Sequence, residues 1–186
     1  MYSSHTDDNV TFVRDCEVIQ IPSGERETVP EGTKALITQS LGGTYTVVTN
    51  QGWMVRIAAS DADAIGRERT VDPAENAPPP ETAEEVEKLV WDQLRTVFDP
   101  EIPVNIADLG LVYKCEVAPA DDAYKVAIEM TLTAPGCGMG DVLKAEVEDK
   151  LKVTPGVREL DVELVFDPPW DMSMMPEAAK LALGLM

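Results

Sequence analysis

Cys137 is the residue of this chain whose setting most suggests chemistry. It sits in "TLTAPGCGMGD", residues 131–141, between Gly136 and Gly138. Flanking glycines remove side-chain bulk, free the backbone for unusual torsions and let a partner approach closely. The loop leads into a run with helical character. Exposed N–H groups and the positive dipole end at a helix start favour a thiolate. Thr131, Thr133 and Pro135 lead out of a strand, which sets the loop on a rigid edge. A thiolate held there suits a soft metal or an electrophile. A tight turn that merely tolerates a small cysteine is the competing reading.

The other soft ligands do not complete a site around Cys137. The chain has three cysteines and one histidine. Cys16 and Cys115 fall in strand-like runs, where burial suits cysteine. His5 lies in the N-terminal tail, too remote in sequence to be assumed as the base of a nucleophile. A structural zinc site usually needs about four N or S ligands, and an iron–sulfur cluster about four cysteines. One chain therefore cannot hold a conventional cluster alone. Sharing across a homodimer, with a partner, or with small-molecule thiols is required.

Two acidic loops are expected near the cysteine. "FDPEIPVNIADLG" supplies Asp99, Glu101 and Asp108, and "FDPPWDMSMM" supplies Asp167 and Asp171. An Asp-Pro step is commonly a turn device whose carboxylate accepts from backbone N–H groups. The alternative is that both loops gather around Cys137 as a docking surface. Trp170 with Met172, Met174 and Met175 then forms an adaptable contact patch, or else the lid of the core.

The elements that must position these residues follow from periodicity. Thr82 and Glu85 form a capping-box pattern. Val86, Leu89, Val90, Leu94, Val97 and Phe98 recur at helical spacing, and the helix is expected to stop before Pro100. Strands are expected near residues 111–117 and 124–132, joined by a turn at 120–123. The run "GDVLKAEVEDKLK" reads as a helix ended by Pro155-Gly156. "VRELDVELVF" alternates as a third strand, and "PEAAKLALGLM" closes with a short helix. The order α-β-β-α-β with a terminal helix is an α+β layer.

Before it, residues 1–71 read as a small β-rich domain, a barrel or rolled sheet of about 60 residues. Strands at 45–49 and 53–58 flank a short Asn50-Gln51-Gly52 hairpin connection. Residues 72–81, "DPAENAPPPE", carry four prolines and read as a semi-extended linker. The α+β domain then occupies residues 82–186. No chemical motif stands out in the β unit.

Composition bounds the partners. Of 186 residues, 44% are apolar, which is enough for packed cores. The formal charge is −19. Acids exceed bases on both sides of the linker, 13 to 6 over residues 1–81 and 21 to 9 over residues 82–186. Such a chain repels phosphate backbones and anionic membrane surfaces, so neither nucleic acid nor membrane is expected. No stretch approaches the ~20 apolar residues of a membrane span. "MYSSHTDDNV" lacks the basic region and apolar core of a secretory signal. Few and unpaired cysteines fit a reducing cytoplasm.

Three segments carry a resemblance. "DPEIPVNIADLGLVY", "MTLTAPGCGMGDVLKAEVE" and "VFDPPWDMSMM", in this order, closely resemble the MIP18-like iron–sulfur biogenesis domain over about residues 82–180. The β unit, "VIQIPSGERETVPEGT…GTYTVVTNQGWMVRI", resembles the longer bacterial SufT subfamily. The resemblance implies an auxiliary, non-enzymatic carrier or adaptor in the SUF system of metal–sulfur cluster assembly. It implies SUF components and recipient iron–sulfur apoproteins as partners, and a transient cluster or iron as cargo. The family's reactive cysteine falls on Cys137 and its acidic turn on Asp99, Pro100 and Glu101. No cysteine follows Cys137, which departs from the related PaaD pattern. A small thiol-redox or thiol-transfer enzyme, or a purely structural interaction module, are the alternatives.

Overall fold

The computed structural model describes residues 8–134, 136 and 138–185. Two compact units divide the chain, Met1–Val71 and Asp72–Met186. His5, Pro135 and Cys137 lie outside the described residues.

The first unit is one six-stranded sheet in which every pairing is antiparallel. Its strands are β1 (Asn9–Thr11), β2 (Cys16–Gln20), β3 (Arg26–Val29), β4 (Lys34–Leu41), β5 (Thr44–Thr49) and β6 (Met54–Ile57), in the order β1-β4-β5-β6-β2-β3. Among the described residues β1 and β3 are the two ends of this order, with no pairing between them. β5 and β6 form the anticipated hairpin, and Gly52 takes the left-handed torsion its turn needs, φ 86°. Phe12, Cys16, Val18, Val47, Val55 and Ile57 are buried and form the core with the 3-10 segment Ala59–Ile65.

In the second unit, α1 (Ala83–Leu94) opens on the expected capping box. The Thr82 side chain accepts from the Glu85 N–H, and the Glu85 carboxylate accepts from the Thr82 N–H. Val86, Val90 and Leu94 are fully buried on one stripe. Each contributes ~1.5–3 kcal/mol by leaving water. The helix ends at Leu94, earlier than the periodicity predicts. Thr96 folds its hydroxyl back onto the Gln93 carbonyl, and Phe98 pairs with Asn105 as an isolated antiparallel bridge. Val97 and Phe98 fit the helical period, yet Val97 reaches the core from beyond the helix end, its N–H donating to the Leu94 carbonyl at 3.3 Å.

β7 (Val112–Ala120) and β8 (Ala123–Met130) form an antiparallel hairpin through Asp121 and Asp122, with Asp121 at φ 51°. α2 (Gly140–Lys152) then carries the chain over to β9 (Val157–Leu164), which runs parallel to β8. The sheet order is β7-β8-β9. α1 packs on β7, α2 on β9, and the helices touch each other. Val126, Ile128 and Met130 of β8 face the helices, so the alternate residues Lys125, Ala127 and Glu129 face the other way. A short helix α3 (Glu177–Ala182) completes the unit. Strands and helices together make the expected α+β arrangement.

Residues 72–81, read from sequence as a linker, group with the second unit and touch it at both ends. The Asp72 carboxylate meets the Gln93 amide and lies 3.9 Å from the Lys150 ammonium. Pro80 packs against Gly156 so closely that an added Cβ there would come within 2.6 Å of it.

Candidate functional site

The loop of residues 131–139 joins β8 to α2, and its described part is held at three points. Thr131 is buried, and its N–H donates to the Leu111 carbonyl at 2.8 Å. Thr133 Oγ1 donates to Asp99 Oδ2 at 3.1 Å. Gly140, at the start of α2, sits where an added Cβ would come within 2.8 Å of a Leu132 methyl. The loop's far end is thus drawn down onto its own near end. Gly136 and Gly138 are exposed and both occupy the left-handed region, φ 85° and 73°. Nothing crowds Gly136 within 4 Å, so glycine serves there for torsion and not for space.

Asp99 is the anchor of this arrangement. It is 2% exposed, and its carboxylate collects three hydrogen bonds. Oδ1 accepts from the Glu101 and Ile102 N–H groups, each at 2.9 Å, and Oδ2 accepts from Thr133. A buried carboxylate is tolerable only with such partners. The turn-device reading of the Asp-Pro step describes Asp99, with one addition absent from the sequence: the same carboxylate holds the cysteine loop 34 residues away. Glu101, in the same turn, is exposed. Asp108 stands apart. It is exposed and locked in its own turn, where Asn105 Nδ2 donates to Asp108 Oδ2 at 2.7 Å and the Asp108 N–H donates back to Asn105 Oδ1.

α2 begins without a side-chain cap at Met139, which leaves the N–H groups of its first turn turned toward the loop. The two described cysteines are unlike a loop thiol. Cys16 lies in the first core and Cys115 is half-buried against the second. Burial pushes each thiol up from 9.0 to about 11. Among the described residues, no group of three or more His, Cys, Asp or Glu side chains is placed to hold a metal ion.

The Trp-Met segment divides between core and surface. Trp170 Nε1 donates to the Leu109 carbonyl at 2.7 Å, and its ring packs on the core. Met175 is buried, whereas Met172 is exposed. Asp171 caps the turn at Met172–Met174. Its carboxylate, bonded by Ser173, is held below the ordinary carboxylate value. Asp167 lines an open cleft of about 630 Å³ with Tyr113, Glu129, Val165 and Met174. Sequence reasoning singled out Asp167 and Met174 but passed over Tyr113 and Glu129. Both are strand residues in an unremarkable alternating pattern, and no local signal marks them.

Residues 87–164 match the family described as iron–sulfur cluster assembly protein. An Fe-S protein maturation auxiliary factor from Porphyromonas gingivalis is 42% identical over 102 residues, 55% of this chain and 94% of that protein. The chain belongs to the iron–sulfur cluster assembly protein family. The Staphylococcus aureus Fe-S protein maturation auxiliary factor SufT is likewise 42% identical over 89 residues, covering 48% of this chain and 98% of its own. A Bacillus anthracis domain of unknown function, solved by crystallography, is 37% identical with a TM-score of 0.49, over 56% of this chain and 96% of its own. The MIP18-like resemblance drawn from three motifs is borne out. The matched stretch lies wholly within the second unit and contains Asp99, Thr133 and Cys137. The cleft residues Val165, Asp167 and Met174 fall beyond it. No helix among the described residues is long and apolar enough to cross a membrane.

Proposed function

We propose that this protein is an auxiliary factor of iron–sulfur protein maturation, a carrier or adaptor that works through the thiol of Cys137 and has no turnover chemistry of its own. The family membership and the maturation and carrier roles in the relatives' names support this reading. The observation that carries it is the buried Asp99 carboxylate, which spends one of its three hydrogen bonds on the loop that contains Cys137. A buried acid used this way holds a loop in place for a task.

Cys137 lies three residues before the first residue of α2. The uncapped helix start favours its thiolate. That thiolate donates a lone pair to iron of the cargo, and a cysteine thiolate of the recipient then replaces it. The exchange leaves the ligand count and the charge of the cargo unchanged, and the freed Cys137 thiolate takes a proton from water. A single protein ligand makes release easy, and the missing ligands come from a second chain, a partner or small thiols. Cys16 and Cys115 are poorly suited to act as resolving thiols, because burial keeps both protonated near neutral pH. This weighs against a dithiol redox enzyme.

SUF assembly components and recipient apoproteins are the partners this reading calls for, in the cytoplasm. Anaerobic reconstitution of the wild type and Cys137→Ala with iron and sulfide, read by visible absorption, tests it. The wild type should take up cargo and pass it to an apo-acceptor, and Cys137→Ala should do neither. Equal uptake and transfer by both proteins would remove Cys137 as the working group.

A further inference from the structure

The outer face of the three-stranded sheet carries an unusual charge pattern. The register sets Lys114 beside Glu129 and Glu129 beside Glu163 in one cross-strand row. The next row holds Glu116, Ala127 and Asp161. Like charges directly opposed on neighbouring strands cost stability. Lys114 lies 3.2 Å from Glu116 and 3.5 Å from Glu129, so one ammonium is divided between two acids. Glu163 and Asp161 are exposed beside them.

The acidic rows end at the cleft. Glu129 lies in its wall, and Asp167 stands on the loop that follows β9. Between them the lining is apolar: Val112, Val165 and Met174. Tyr113 is fixed by its hydroxyl, which donates to the Pro168 carbonyl at 2.8 Å and lies 3.6 Å from Met174 Sδ. Gly110 lets the loop come this close, since a Cβ there would stand 2.8 Å from the Met174 carbonyl oxygen. Two carboxylates over an apolar floor with a held aromatic ring make a poor seat for a hard cation, which needs about six or more oxygen ligands. They suit a cation with an apolar stem and a flat head that stacks on a ring.

We propose that this cleft takes an arginine side chain from a basic segment of a partner protein, with the guanidinium paired to Glu129 and Asp167 and the alkyl stem on Val112, Val165 and Met174. The acidic rows beyond the cleft add long-range attraction for that segment without holding it. The maturation reading supplies only the partner's role, as an assembly component or a recipient.

The full chain, labelled with nitrogen-15, is titrated with the peptide acetyl-Gly-Arg-Ala-Arg-Gly-amide and with its norleucine-for-arginine analogue. Saturable amide shifts are expected at Tyr113, Val165 and Met174, and none with the analogue. Glu129→Gln/Asp167→Asn should weaken binding about tenfold or more, while Glu159→Gln/Asp161→Asn, which removes equal charge from the same face away from the cleft, should stay within about twofold. Equal weakening by both pairs, shifts spread evenly over the acidic surface, or no saturable shift would overturn the proposal. The probe contains neither iron nor a client. Its failure therefore leaves the maturation reading standing, and failed cluster uptake leaves this cleft standing.

Discussion

Replacing Thr133 with valine strikes the tie between the acidic turn and the cysteine loop. Valine keeps the β-branched shape and deletes only the hydroxyl. The bond lost is Thr133 Oγ1 to Asp99 Oδ2, 3.1 Å long, and its acceptor belongs to a residue 2% exposed. A hydrogen bond to a charged group contributes ~1.5–3 kcal/mol, and the acceptor is left behind in a place water reaches poorly. Thr133 itself is half-buried, which argues for the low end, ~1.5 kcal/mol. The two backbone bonds to Asp99 Oδ1 survive, so the turn at Glu101 and Ile102 persists while the loop loses its tether. Urea unfolding followed by tryptophan fluorescence reads the loss, since Trp91 and Trp170 both lie in the second unit. Amide exchange at Leu132 and Ala134 should quicken about tenfold, the factor that corresponds to ~1.4 kcal/mol of easier local opening. Thr133→Ser, which keeps the hydroxyl, should stay within ~0.5 kcal/mol of wild type. In a double-mutant cycle with Asp99→Asn, the pair should couple by ~1 kcal/mol. A valine variant with unchanged unfolding and unchanged exchange would refute the tether.

Gly110→Ala meets both a left-handed torsion, φ 71°, and the Met174 carbonyl, so a loss of ~2 kcal/mol or more is expected in thermal unfolding. Gly136→Ala, at φ 85° in open space, should lose only the torsional part, ~1 kcal/mol; equal losses at the two sites would show that the close approach at Gly110 is not felt. Thr82→Ala removes the α1 cap and should lower stability by ~1 kcal/mol in urea unfolding, with Thr82→Ser close to wild type. The thiols of Cys16 and Cys115 keep their protons in the folded state up to about pH 11, whereas unfolded they release them near 9.0. Their contribution is therefore complete below pH 9 and is lost as pH climbs toward 11. Cys16→Ala/Cys115→Ala should flatten the fall of the urea midpoint across that window, and an unchanged slope would contradict the burial of these thiols.

The α+β order was legible because each signal is local. Thr82 and Glu85 are three residues apart, and the α2 run carries its own stop in Pro155-Gly156. Where the signal is not local, periodicity misleads. Val97 and Phe98 continue the α1 stripe in sequence, but the partner of Phe98 is Asn105, and that pairing with its flanking backbone bonds ends the helix. The site divides in the same way. Its turn was readable from the Asp-Pro step, whereas the bond from Thr133 to Asp99 spans 34 residues and leaves no trace in either segment. Glu129 and Tyr113 were invisible for the same reason: only the register of β7, β8 and β9 brings Glu129 against Glu163, and only the fold of the following loop sets Pro168 on the Tyr113 hydroxyl.

Charge of one sign does different work at different depths. Asp99 is buried and points its carboxylate at two amides and a hydroxyl, so it shapes the loop and is not offered to a partner. Glu101, two residues on, is exposed. The outer sheet face repeats the contrast at larger scale, with Met130 in the core and Glu129 beside it facing away. A strongly acidic composition alone argues only for solubility. Acids opposed to acids across a sheet, at the edge of a cleft whose floor is apolar, argue for a cation that arrives from outside. The same fold thus separates holding from display: one buried carboxylate keeps the cysteine loop in place, and outward ones such as Asp161 and Glu163 stand exposed on the sheet.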